Sequence, residues 1–70
     1  MNENQIKTLL FCKGWKQYQI DMLIGNIKQR YRRDDEGLIL FAMGRAHDLT
    51  ADGKTPSEVV QMFAPERKES

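Results

Sequence analysis

The chain reads as an all-α domain, a small bundle of about four short helices. Three observations predict this. Apolar residues recur at three- and four-residue spacings and nowhere alternate cleanly, so helices are favoured over strands. Asn, Asp or Thr precedes most of these runs, and Gly or Pro follows, the usual helix boundaries. The 70 residues, 40% hydrophobic and 30% charged, have an ordinary soluble composition and no internal repeat. One domain is expected over residues 1–65, with 66–70 a disordered tail.

The first helix starts near Asn2 or Asn4, either of which can cap it. Ile6, Leu9 and Leu10 form its apolar stripe, and Lys13-Gly14 ends it in the order of cation then glycine. The second helix is expected from about Trp15 to Arg33. Ile20, Leu23, Ile24, Ile27 and Tyr31 lie on one stripe at about 100° per residue. Gly25 interrupts it, either as a costly residue within one continuous helix or as a turn between two shorter ones. Asp34 or Asp35 caps a third helix over residues 37–47, apolar nearly all round. That pattern marks a central buried helix or one shared with a second subunit. Gly44, Ala42 and Ala46 would let another helix come close. Residues 48–54 read as a loop with an Asp-Gly turn. Thr55-Pro56-Ser57-Glu58 opens the fourth helix with a capping box and a proline at its first position. Val59, Val60 and Phe63 bury it, and Pro65 stops it.

A chain of this length buries only roughly 60% of its unfolded surface, so its core is marginal. Small domains usually add a disulfide, a metal or a partner chain. Cys12 is the single cysteine and His47 the single histidine. Neither a disulfide nor a zinc site of about four ligands can be built from them. Oligomerisation is the common staple that remains, and a homo-oligomer, in its simplest form a homodimer, is expected. Cys12 reads as a small core residue at a helix end. The lone cysteine, with no secretory leader pattern, points to a cytoplasmic protein. The longest apolar run, Leu38 to Met43, is far shorter than the roughly 20 residues of a membrane span, so no membrane role is expected.

Catalysis finds little support. His47 lies where an imidazole favours the carbonyl end of a helix, and no second group is positioned to make an acid-base pair with it. Asp48, Thr50, Asp52 and Gly53 imitate the front of a calcium loop, but Val59 stands where the closing acid is needed. The glycines are dispersed and form no phosphate cradle. A non-enzymatic protein is expected, with no cofactor, no metal and no small-molecule substrate.

Charge is the remaining clue. Residues 13–33 hold six Lys or Arg against one Asp, a local +5, whereas the other 49 residues sum to −4. Such polarisation speaks of partners. Gly14-Trp15-x-Gln17-x-x-Ile20-x-x-Leu23-Ile24-Gly25 resembles the opening of many helix-turn-helix DNA-binding domains. The resemblance is generic and covers about 20 residues. It implies a turn at Gly25 and a second helix entering the major groove. Lys16, Gln17, Lys28, Gln29, Arg30, Arg32 and Arg33 would then bind DNA, with Arg and Gln reading base edges and cations neutralising phosphate. The pattern is departed from at Asn26 and Ile27, where a buried aliphatic and a Ser or Thr cap are usual.

Tyr18 and Met22 lie on the back of the same helix, roughly 160° and 200° from Ile20. With Trp15, they are the residue types that interfaces favour. The leading expectation is a small DNA-binding or regulatory protein using residues 16–33. The alternative is a helical protein-interaction module, an adaptor or inhibitor of a larger host protein, docking through Trp15, Tyr18, Met22 and the third helix.

Overall fold

In a computed structural model, residues 2–31 and 34–64 are described. They form four helices: α1 (Glu3–Cys12), α2 (Gln17–Arg30), α3 (Glu36–Ala51) and α4 (Pro56–Met62). No strand occurs among the described residues. The all-α bundle is the fold. The expected tail at 66–70 and the stop at Pro65 lie outside the described residues.

The starts of α1, α3 and α4 follow from local chemistry. Asn2 Oδ1 accepts the Gln5 N–H at 2.9 Å and Gln5 Oε1 accepts the Asn2 N–H at 2.8 Å, a reciprocal cap. Asp35 Oδ1 accepts the Leu38 N–H at 3.1 Å. Thr55 Oγ1 accepts the Glu58 N–H at 3.2 Å while Glu58 Oε1 accepts the Thr55 N–H at 3.1 Å, with Pro56 as the first helical residue. Gly14 and Gly53 follow α1 and α3 at φ +95° and +108°, a region glycine enters without strain.

Several expectations need correction. α2 starts at Gln17, two residues later than expected, because Trp15 belongs to the turn. Its N–H donates to Leu10 O, and its ring enters the core. Helical geometry runs through Gly25, so no turn forms there. α2 ends at Arg30, and Tyr31 is already extended. α3 continues past His47 to Ala51, so the expected loop at 48–54 is half helix. His47 is therefore not in the last turn. Thr50 stays helical by donating its hydroxyl to Ala46 O at 3.0 Å. Cys12 is exposed and not in the core. It lies two residues past buried Leu10, roughly 200° around the helix and so on its outer side.

α2 and α3 make the central pair. Each touches all the other helices, whereas α1 and α4 do not touch each other and flank the pair. Ile20, Leu23 and Ile27 from α2 are fully buried, as are Met43 and Ala46 from α3 and Val59 from α4. Leu10 and Trp15 close one end of the core, and Trp15 Nε1 donates to Thr50 Oγ1 at 3.0 Å. No charged or polar residue among those described is buried. Stability therefore rests on apolar contact and on caps at the rim. α3 is not buried all round. Ile39, Ala42, Met43 and Ala46 are buried, while Phe41 on the far side is 70% exposed.

Candidate functional site

The basic residues of α2 do not share a face. Lys28 and Arg30 are two positions apart and so point roughly 200° apart around the axis. Lys28 is half-buried on one flank, on the side of Gln17 and Asp21. Gln17 is engaged there, its Nε2 donating to Asp21 Oδ1 at 2.9 Å. Arg30 lies on the other flank, where its Nη1 donates to Met62 O at 3.0 Å. A guanidinium at the carbonyl end of α4 complements that helix's dipole. Asn26 acts beside it, its Nδ2 donating to Val60 O at 3.1 Å. Asn26 and Arg30 thus hold α4 onto α2. Lys16 is the exposed residue before α2, and its N–H donates to Gln19 Oε1 at 2.9 Å. Gln29 is exposed on the outward face. Arg32 and Arg33 lie outside the described residues.

The three residues expected at a partner interface divide. Trp15 is 2% exposed and cannot meet a partner; its ring completes the core. Tyr18 and Met22 are 59% and 52% exposed. They form the outward ridge of α2, continued by Gly25 and Gln29 at helical spacing. Beside the ridge runs a shallow groove of about 130 Å³ between α2 and α4, lined by Tyr18, Gln19, Met22, Ser57, Val60 and Gln61. None of these six side chains is charged. The ridge and groove are a neutral strip, with Arg30 on the α4 side and Lys28, next to Asp21, on the other.

A second apolar surface was not legible in the sequence. Between α1 and α3 a groove of about 430 Å³ is lined by Ile6, Leu9, Phe41, Gly44, Arg45, His47 and Asp48. Leu38 lies one turn before Phe41 on the same face and is also exposed. α3 is so uniformly apolar that its sequence does not say which side is covered. One signal was available: Ile39, Ala42, Met43 and Ala46 follow the 3-4-7 spacing of a buried stripe, and Phe41 falls outside it.

A hollow of about 520 Å³ separates the N-terminal ends of α1 and α3. The cap side chains of Asn2 and Asp35 at these ends are already bonded to backbone N–H groups. His47 Nδ1 lies 3.7 Å from Asp48 Oδ1, its neighbour in sequence. Among the described residues, no three His, Cys, Asp or Glu side chains are grouped closely enough to hold a metal. No helix among the described residues is long and apolar enough to cross a membrane. Comparison with protein-family models, with curated proteins and with solved structures finds no match to this chain.

Proposed function

We propose that the chain is a non-enzymatic protein-interaction module. It docks an amphipathic helix of a larger protein along the outward ridge of α2 and the α2/α4 groove. One observation carries this reading. Tyr18 and Met22 are more than half exposed, although the buried stripe of the same helix is fully used by the chain's own core. An apolar pair with no internal partner marks an interaction site. The uncharged groove beside this pair favours a partner helix that presents an apolar face.

A second reading is duplex DNA held by Lys16, Lys28 and Arg30, together with Arg32 and Arg33. The local +5 of residues 13–33 supports it. Against it stand the unbroken helix at Gly25, the opposite flanks of Lys28 and Arg30, and the use of Arg30 at the end of α4.

The test has two steps. The tagged chain captures partners with and without nuclease, and the recovered protein is then purified and titrated directly. A direct complex unaffected by nuclease, weakened tenfold or more by Tyr18→Ala with Met22→Ala, is expected. That factor corresponds to about 1.4 kcal/mol or more. These exposed substitutions should change folding stability by only about 0.5 kcal/mol, as thermal melts would show. The opposite result is duplex binding whose log affinity falls with log salt at roughly −3.6 to −5.4, for about four to six phosphates. If Lys16→Ala with Lys28→Ala flattens that slope and the Tyr18/Met22 pair leaves it alone, the DNA reading replaces this one.

A further inference from the structure

We draw no further inference here: the strongest candidate, the apolar face between α1 and α3 where Phe41 stands beside the groove of about 430 Å³, is an unpartnered surface, and nothing in the structure shows what covers it.

Discussion

Trp15 and Tyr18 are three residues apart and have opposite surroundings. Both are amphipathic aromatics, and at the level of residue type both suited an interface. The indole of Trp15 is buried because Thr50, 35 positions later, supplies the hydrogen-bond partner that its N–H needs. Tyr18 has no such partner and stays half in water. No local pattern reveals a contact of that span. Trp15→Ala should cost roughly 3–5 kcal/mol. A chain this short has roughly 4–10 kcal/mol in total, so denaturant titration should find the variant partly or wholly unfolded. Gly25 makes the reverse case. It lies inside α2, with nothing within 4 Å of where a Cβ would sit. Gly25→Ala should therefore raise stability by roughly 0.5–1 kcal/mol, seen as a higher melting temperature. A loss of stability would mean that the backbone at residue 25 is not helical.

Among the elements, the starts of α1, α3 and α4 were legible, whereas the start of α2 and the ends of α2 and α3 were not. A start is decided by a few adjacent side chains, and Asn2, Asp35 and Thr55 act as the sequence leads one to expect. The end of α3 was read too early because Asp48, Thr50 and Asp52 look like turn residues. Thr50 bonds back to Ala46 O and forward to Trp15, and these contacts keep the last turn helical. α4 is the shortest helix and depends most on its cap. Thr55→Ala should cost about 1 kcal/mol, measurable in a denaturant titration. Hydrogen bonds from the Thr55 N–H and hydroxyl hold the Glu58 carboxyl below its ordinary pKa. The folded value is depressed, so this support is present above the ordinary glutamate value and fades as pH falls through the lowered one. Amide shifts of residues 55–59 should move toward unfolded values on that acid side, with no matching change near neutrality. Arg30→Ala removes a cation from the far end of the same helix and should cost about 0.3–1 kcal/mol, with faster amide exchange around residues 60–63.

At the scale of the whole molecule, four short helices bury one core and leave apolar residues exposed in two places, along α2 beside α4 and along α3 beside α1. For a core this small, stability depends on a few fully buried side chains, Leu10, Ile20, Leu23, Ile27, Met43 and Val59. The sequence by itself determined the helical class, the caps, the stripe of α2 and the buried face of α4. These depend on spacings within one or two turns, which a linear reading contains. Tertiary structure alone decided that Trp15 is core, that Arg30 closes the end of α4, and that α3 turns Phe41 outward. Each depends on which helix lies alongside; in α3 Leu38, Leu40 and Phe41 stand outside the stripe of Ile39, Ala42, Met43 and Ala46, so apolarity alone does not say which side is covered. The charge of residues 13–33 was plain from the start, but its division over two flanks follows only from an unbroken helix packed against α4.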